Sequence, residues 1–437
     1  MISQIESEII DQYLYDENPD RPWVIGFSGG KDSTALLQVV WYALKKVPAE
    51  LRWPRDIYVV CNDTLVENPK VVNYVEGVLD QIEKEATSQS MPIYVVRTKP
   101  KLEDTFWLNV VGKGYPAPNK IFRWCTERLK INPTTRFIQE KVSEKGEVII
   151  LLGTREAESG NRARSMKKHE KRGKRLRNHI LRNAFVFAAI KDLTTDEVWE
   201  YLMAVPSPWR SSNKVLAQLY RNANSGDCPL VIDDTTPSCG NSRFGCWVCT
   251  VVKRDKSMEA LIENGEPWMY PLLELRDYLA DSRDSEEHRE LRKRNGKIIE
   301  GQLGPYNEET RATILRMLLI AQKEIQEEQP EMNFISHQEM VAIQANWYRD
   351  GYYIYKVADI YNEIYDIEID MDKKYENLKL ENDLLKEAVG GDEDKFNLFN
   401  GMLATQKTKT LLLKKRGLLP DLEHQIDVYL RKKDKVK

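Results

Sequence analysis

The residues Ser28–Thr34, with the sequence SGGKDST, have types and a spacing that could hold phosphate. An apolar stretch, Val24–Phe27, precedes them, and another, Ala35–Leu44, follows. We interpret the three pieces as a buried strand, a glycine turn and a buried helix. Glycine lets backbone N–H groups approach an anion without a Cβ in the way, and a helix N-terminus adds partial positive charge and unpaired donors. This arrangement predicts a phosphate site rather than an ordinary glycine-rich turn.

Each side chain of the turn has a predicted role there. Lys31 adds a full positive charge, Asp32 or Asp63 could lie near a magnesium ion, and Ser33 and Thr34 could cap the helix or bind phosphate oxygens. Lys31 and Asp32 are therefore predicted to be catalytic. The predicted nucleotide-binding residues of the turn are Ser28, Gly29, Gly30, Lys31, Asp32, Ser33 and Thr34.

Four cysteines, Cys228, Cys239, Cys246 and Cys249, lie within a short segment rich in glycine and proline. Such a segment cannot be a regular helix, so we interpret it as a loop wrapped around a metal centre. A Cys₄ zinc site and an iron–sulfur cluster both fit this composition. Zinc ribbons usually pair two C-x-x-C knuckles, and only one is present here. The uneven spacing favours a [4Fe–4S] cluster with these four cysteines as metal ligands.

Cys125 lies in the basic sequence RWCTERLK, between Arg123 and the pair Arg128 and Lys130. Neighbouring cations stabilise a thiolate, so we expect them to lower the pKa of Cys125. A reactive thiolate suits either a sulfur-handling nucleophile or an iron ligand. The alternative is a buried and inert cysteine.

Further apolar runs predict strands at 56–61, 92–97, 148–152 and 184–190, with helical stretches between several of them. This alternation predicts an α/β fold with a parallel, doubly wound sheet. Ligands of such sheets lie at the carboxyl ends of the strands. Asp63 and Thr64 follow the second strand, and a strand-to-helix cap is their alternative role. Gly153, Arg155 and Arg162 follow the fourth strand, and all five are predicted to bind nucleotide, with Arg155 also catalytic. Thr194 or Thr195 is a predicted helix N-cap.

The segment Arg162–Arg182 carries ten Lys or Arg residues and one Glu, which suits a nucleic-acid backbone. A solvated charged face is the alternative. The whole chain has a formal net charge of −3, so nucleic-acid contacts must come from local patches. No secretory signal and no apolar stretch of membrane-spanning length is evident, so we expect a cytoplasmic protein with no membrane partner.

The composition divides the chain into three predicted parts. Residues 1–225 form the phosphate-binding α/β domain, 226–255 the cysteine-rich segment, and 256–437 a helical region. Predicted helices of the last part are Met258–Ile262, Trp268–Leu279, Glu286–Arg294, Asn307–Glu327, Gln338–Asn346 and Tyr361–Val389.

Taken together, SGGKDST, RWCTERLK, GTREAESGNRA and the cysteine segment resemble the phosphoadenosine-phosphosulfate-reductase-like branch of the PP-loop (adenine nucleotide α-hydrolase-like) superfamily. More narrowly, they resemble the DndC-like ATP pyrophosphatases of DNA phosphorothioation and the related SspD proteins. The resemblance covers roughly residues 20–320. The last hundred or so residues carry no recognisable motif.

This resemblance implies cleavage of ATP between its α- and β-phosphates, with Mg²⁺, and transfer of sulfur to the DNA backbone. It implies a [4Fe–4S] cluster, a cysteine desulfurase as sulfur donor, and further subunits of a DNA-modification complex. Only one cysteine stands near position 125, where plain reductases of this branch have a pair, so Cys125 is either an iron ligand or a sulfur carrier. Two alternatives are a sulfonucleotide reductase and a nucleotide-gated, non-catalytic DNA-binding subunit.

Overall fold

A computed structural model describes residues 1–53, 55–158, 175–223, 245–291, 302–367, 384–411, 422–423 and 426. The described residues fall into two compact units. The first comprises Met1–Lys101 and Ile121–Pro267, and the second comprises Leu102–Lys120 and Trp268–Lys437.

The first unit contains a six-stranded sheet with the strand order β3-β2-β1-β4-β6-β5. All pairs are parallel except the short edge pair β5–β6. The strands are β1 (Trp23–Gly26), β2 (Ile57–Asn62), β3 (Ile93–Thr98), β4 (Val148–Leu151), β5 (Arg177–Asn178) and β6 (Ala184–Phe187). The predicted parallel α/β sheet is therefore confirmed, while β5 carries too little apolar sequence to be predicted.

Helices pack on both faces of this sheet because alternate strand residues point to opposite sides. Trp23 and Ile25 of β1 lie in a large core cluster, whereas Val24 lies in a second cluster with Ile138. The helices of this unit are α1 (Ile2–Leu14), α2 (Lys31–Lys45), α3 (Pro69–Ser88), α4 (Asn132–Lys145), α5 (Thr195–Ala204), α6 (Asn213–Ala223) and α7 (Lys256–Glu263).

Helix α2 begins at Lys31, four residues earlier than the sequence pattern indicates. Gly30 has extended backbone angles and is the N-cap residue. Ser33 and Thr34 lie inside the helix and are buried, so the prediction that they cap it is wrong. The physical reason is that Gly30 already supplies the extended backbone of the cap, which leaves Lys31–Thr34 to form the first helical turn. The predicted cap at Thr194 is confirmed, with a reciprocal bond pair between Thr194 and Glu197.

The second unit is helical in the described residues. Its helices are α8 (Tyr270–Ser282), α9 (Glu308–Glu328), α10 (His337–Asp350), α11 (Val357–Tyr365) and α12 (Glu393–Leu411). The segment Leu102–Lys120 belongs to this unit, since Trp347 and Arg311 donate hydrogen bonds to the carbonyls of Val111 and Gly112.

Two of the helices predicted here differ from the structure. Glu286–Arg294 is wrong over its described part, which holds one 3₁₀ turn, Glu286–His288, and then a bridge from Arg289 to Tyr306. The Arg289 side chain bonds the Gly304 carbonyl, and this tertiary contact holds the chain extended. Within Tyr361–Val389, helix α11 ends at Tyr365 because Asp366 adopts a left-handed conformation. Residues 368–383 lie outside the described part of the chain.

Candidate active site

The phosphate turn follows β1, the strand at which the strand order of the sheet switches from one side to the other. Strand β1 has β2 on one side and β4 on the other, and the ends of β1 and β4 lead into the turn and into Gly153–Arg155. Ligands of open α/β sheets bind at such a point. The two segments touch, because a Cβ on Gly153 would lie 2.9 Å from the backbone of Asp32 and Ser33. Gly153 is thus required for the close approach of the two loops.

Internal hydrogen bonds hold the phosphate turn. The Ser28 amide donates to Ser33 Oγ at 3.2 Å, and Ser33 Oγ donates to the Gly30 carbonyl at 3.0 Å. Gly29 has φ of 71°, and a Cβ at this position would lie 2.3 Å from Val75 Cγ2 of α3. Only glycine fits this conformation and contact. These contacts fix the conformation of the turn.

Asp32 pairs with two cations. Arg155 connects it to the loop after β4, and Lys31 is its neighbour in the turn. Arg155 Nε donates to Asp32 Oδ1 at 2.8 Å, and Lys31 Nζ lies 3.0 Å from Asp32 Oδ2. Arg155 is almost fully buried and also donates to the Leu193 carbonyl and to Thr195 Oγ1, both at 3.1 Å. The guanidinium is therefore committed to fixing Asp32 and the start of α5.

Two buried hydroxyl groups near the phosphate turn have no hydrogen-bond partner among the residues that the structure describes. They are Thr34 Oγ1, in the first turn of α2, and Thr154 Oγ1, which follows β4. Buried polar groups are ordinarily paired, and an exception calls for an explanation. Two unpaired hydroxyls beside a glycine turn and a lysine fit a site that takes a polar, anionic ligand such as a nucleotide phosphate.

Tyr220 of α6 is a site residue that the sequence pattern did not reveal. Its hydroxyl accepts a hydrogen bond from the Lys31 amide at 3.3 Å, and the Lys31 ammonium lies 5.9 Å from its ring centroid. The edge-to-face partner of the ring is Trp199, at 5.1 Å between centroids. The tyrosine hydroxyl thus lies against a backbone donor that a phosphate would use.

The residues after β2 have contacts away from the phosphate turn. Asp63 accepts from the Leu65 amide at 2.8 Å and pairs with Lys99 at 3.2 Å. The N-cap of α3 is Asn68, so the alternative role of Asp63 and Thr64 as a helix cap is wrong. Thr64 is buried, and its Oγ1 lies 3.5 Å from Cys246 Sγ. Their predicted contact with a nucleotide stays a prediction.

The structure brings Cys125 together with the C-x-x-C pair Cys246 and Cys249. Burial raises the pKa of Cys125 to about 11; the charges of the other two thiols add to the rise, and Lys130 opposes it. The predicted lowering of this pKa is therefore wrong, because desolvation outweighs the nearby cation. Burial also raises the pKa of Cys246, again against Lys130.

The protein around these thiols is tightly connected to the sheet. Glu67 pairs with Cys246 in a β-bridge, and the Trp247 amide donates to the Val66 carbonyl at 3.0 Å. Burial raises the pKa of Glu67 to about 7, with Lys130 acting against the rise. These contacts hold the thiols at the carboxyl end of β2, next to the strand that carries the phosphate turn.

The thiols of Cys125, Cys246 and Cys249 are donors of the kind that bind iron–sulfur clusters or zinc. The thiols of Cys125 and Cys246 form no disulfide. Among the described residues, no group of three or more His, Cys, Asp or Glu is arranged to hold a single metal ion. Cys228, Cys239 and Arg162 lie outside the described residues, so their predicted roles stay predictions.

No helix within the described ranges has the length and apolar character needed to cross a membrane.

A curated relative from Methanocaldococcus jannaschii, an uncharacterized protein, is 28% identical over 215 residues. The match covers 49% of this chain but only 38% of that relative.

Two solved structures are also similar. A phosphoadenylyl-sulfate reductase from Candida auris, in a phosphate complex, has 13% identity and a TM-score of 0.29, covering 50% of this chain and 91% of that one. The U34-tRNA thiolase NcsA from Methanococcus maripaludis, with its [4Fe–4S] cluster, has 14% identity and a TM-score of 0.25, covering 64% and 80%.

The family model of the phosphoadenosine phosphosulfate reductase domain matches residues 22–252, which include the whole sheet, the phosphate turn and the described thiols. This chain therefore belongs to the phosphoadenosine phosphosulfate reductase domain family.

Proposed function

We propose that this chain is an ATP pyrophosphatase that transfers sulfur to the phosphate backbone of DNA. The observation that supports it most is the pairing of a complete phosphate turn with half-buried thiols at neighbouring strand ends. Lys31, Asp32 and Arg155 form one charge network on the phosphate side. Cys125, Cys246 and Cys249 form the thiol group on the other. Activation by a nucleotide and handling of sulfur then occur in adjacent places.

In the proposed reaction, ATP lies with its β- and γ-phosphates on Ser28–Thr34. A DNA phosphate oxygen attacks the α-phosphorus, and the bond to pyrophosphate breaks. Sulfur then attacks the DNA phosphorus and expels AMP, either directly as sulfide or as a persulfide. With a persulfide, a second thiol reduces the S–S bond that remains and forms a disulfide, so that sulfur replaces one oxygen. Lys31 and the backbone amides at the start of α2 stabilise the charge that develops on the phosphates. Arg155 acts by holding Asp32 in place.

The proposed reaction uses two further groups, a magnesium ion and an iron–sulfur cluster. Bound Mg²⁺ would neutralise phosphate charge, and Asp32 or Asp63 would lie near it. A [4Fe–4S] cluster would supply sulfur or redox chemistry, held by Cys125, Cys246 and Cys249, with Cys228 or Cys239 as a further ligand. The proposal also includes a cysteine desulfurase as sulfur donor and further subunits of a DNA-modification complex.

A second candidate is a sulfonucleotide reductase, which the matching family model favours. A reductase would need a reactive cysteine and neither ATP nor DNA. The ten Lys or Arg residues of Arg162–Arg182 favour a larger anionic substrate than a sulfonucleotide. The third candidate is a DNA-binding subunit that binds ATP and releases no pyrophosphate.

One assay separates these candidates: pyrophosphate release from ATP and Mg²⁺, with and without DNA. We expect release that increases with DNA and is abolished by Lys31→Ala. Lys45→Ala, at the exposed far end of the same helix, is the matched control and should retain activity. Absence of release under all conditions would contradict the proposed function.

A further inference from the structure

Backbone hydrogen bonds hold the C-x-x-C segment to the residues that follow β2. The Trp247 amide donates to the Val66 carbonyl at 3.0 Å, and the Asn68 amide donates to the Gly245 carbonyl at 3.3 Å. Bonds between backbone groups do not depend on which side chains are present. The two thiols of this segment are therefore fixed to the carboxyl end of β2 by the fold itself.

A side chain, Asn62, holds the segment of Cys125 to the same strand end. Asn62 is the last residue of β2, and its Nδ2 donates to the Leu129 carbonyl at 2.7 Å. Leu129 is buried and lies in the π-helical turn Thr126–Ile131, which begins directly after Cys125. A π-helical turn is a rare conformation that often occurs at functional sites. The bond therefore ties the turn next to Cys125 to the strand end that holds the other two thiols.

A neighbouring strand fixes the direction in which the Asn62 amide points. Thr98, the last residue of β3, is paired with Asn62 across the two strands and is buried. Its Oγ1 donates to Asn62 Oδ1 at 2.9 Å. Because the amide oxygen accepts this bond, the amide nitrogen is turned towards the Leu129 carbonyl. Both ends of the amide are thus engaged.

We propose that Asn62 is the residue that positions the Cys125 thiol for the iron–sulfur cluster. A metal centre needs its ligands held close to their bound positions, and partners that orient the ligands typically change metal affinity about 10–100-fold. The C-x-x-C thiols have this support from the backbone, whereas Cys125 has it from the Asn62 side chain. The inference rests on the cluster of the proposed function and adds a residue that the cluster needs besides its thiols.

The test measures the rate at which anaerobically purified protein releases iron to a chelator. Asn62→Asp keeps an oxygen that accepts from Thr98 and replaces the donor to Leu129 by a second oxygen. We expect this variant to release iron about tenfold faster than the wild-type protein, because the Cys125 thiol is no longer held in place. Asn62→Ala removes the same donor without adding a carboxylate, and its release should be accelerated in the same way.

Asn307→Asp is the matched control. The Nδ2 of Asn307 donates to the Glu287 carbonyl at 2.7 Å, and its Oδ1 accepts from the Thr310 amide at 2.9 Å. The change therefore removes a bond of the same kind and keeps the acceptor, in the helical unit, which contains no cysteine. This variant should release iron at the wild-type rate. Thermal unfolding of the iron-free proteins establishes that each variant is folded.

Reconstitution separates a positioning residue from a ligand. With excess iron and sulfide, the Asn62 variants should regain the visible absorption of the cluster, because all their thiols remain, whereas Cys125→Ser should not regain it. Release at the wild-type rate in both Asn62 variants would overturn the inference. Equal acceleration in Asn307→Asp, or Asn62 variants that excess iron cannot restore, would overturn it as well.

Failure of this inference can be told from failure of the proposed function. If wild-type protein releases pyrophosphate and the Asn62 variants release iron at the wild-type rate, the role of Asn62 is wrong while the proposed function stands. If the Asn62 variants release iron faster but wild-type protein releases no pyrophosphate, the role of Asn62 stands and the proposed function is wrong. Wild-type protein that binds no iron after reconstitution would contradict both.

Discussion

Arg155 and Asp32, which are 123 residues apart in sequence, form a buried ion pair with 2.8 Å between Nε and Oδ1. The pair joins the loop after β4 to the first turn of α2. Because Arg155 also bonds Leu193 and Thr195, its loss would leave several buried groups unpaired. Breaking a buried pair from one side typically costs about 3–5 kcal/mol.

We therefore expect Arg155→Ala to lower the free energy of unfolding by about 3 kcal/mol and to abolish pyrophosphate release. Lys31→Ala should abolish release while changing the free energy of unfolding by about 1 kcal/mol or less. Urea unfolding of the two variants measures this contrast. Equal stability of the two variants would contradict the positioning role of Arg155.

Tyr220→Phe should tighten the binding of inorganic pyrophosphate. The hydroxyl accepts the Lys31 amide, and a ligand phosphate must displace it. A hydrogen bond of this kind is worth about 0.5–1.5 kcal/mol net, so the dissociation constant should fall about two- to tenfold. Calorimetric titration measures this. The control is Tyr42→Phe, whose hydroxyl bonds the Pro206 carbonyl instead. Weaker binding in Tyr220→Phe would mean that the hydroxyl holds the phosphate rather than competing with it.

Gly153→Ala should weaken nucleotide binding and lower stability together. Its new Cβ would lie 2.9 Å from backbone atoms of Asp32 and Ser33, so the start of α2 must move away from β4. Overpacking of this kind typically costs about 1–3 kcal/mol. Gly77→Ala is the control, because nothing lies within 4 Å of a Cβ there and the exposed position is helical. Parallel unfolding and ATP-binding measurements on both variants test this; an unaltered Gly153→Ala protein would refute the close approach.

Iron content should depend on Cys125 and Cys246 and not on Cys61. Cys125 and Cys246 belong to the thiol group, whereas Cys61 lies within β2, where burial raises its pKa to about 12. Anaerobically purified Cys125→Ser and Cys246→Ser proteins should lose most of the bound iron and the brown colour, and Cys61→Ala should keep both. Elemental analysis measures the iron and zinc content of each protein. Wild-type protein that contains zinc and no iron would overturn the cluster.

The hydrogen bonds that cap α5 should make the free energy of unfolding depend on pH in the acid range. Hydrogen bonds from the Thr194 backbone and side chain lower the pKa of Glu197. The folded state therefore favours the carboxylate, so this contribution is full above the unfolded pKa of about 4.3 and is lost as pH falls through the folded pKa. Glu197→Gln should reduce this pH dependence of unfolding, and Glu200→Gln on the same helix should not. Identical profiles for the two variants would contradict the cap.

Local features of the site could be predicted from the sequence. The strand, turn and helix around Ser28–Thr34 are contiguous, and their apolar periodicity and glycines are read directly. The Thr194–Glu197 cap is local in the same way. Asp32 and Arg155 could both be assigned to the site because each follows a parallel strand, and the carboxyl ends of parallel strands lie on the same side of the sheet.

Features that depend on distant contacts could not be predicted. Tyr220 lies 189 residues from Lys31, and nothing in the sequence of α6 distinguishes it from a packing tyrosine. The pKa of Cys125 was predicted from its charged neighbours in sequence, whereas burial decides it in the fold. The inclusion of Leu102–Lys120 in the helical unit likewise depends on contacts with Arg311 and Trp347.

We propose that cleavage of ATP is coupled to replacement of a DNA backbone oxygen by sulfur. The most direct test incubates the protein with ATP, Mg²⁺, inorganic sulfide and single-stranded DNA, and then digests the DNA for mass spectrometry. We predict phosphorothioate-linked dinucleotides that require ATP and that are missing with Lys31→Ala. Pyrophosphate release without any phosphorothioate linkage, under conditions where the iron content is full, would contradict it.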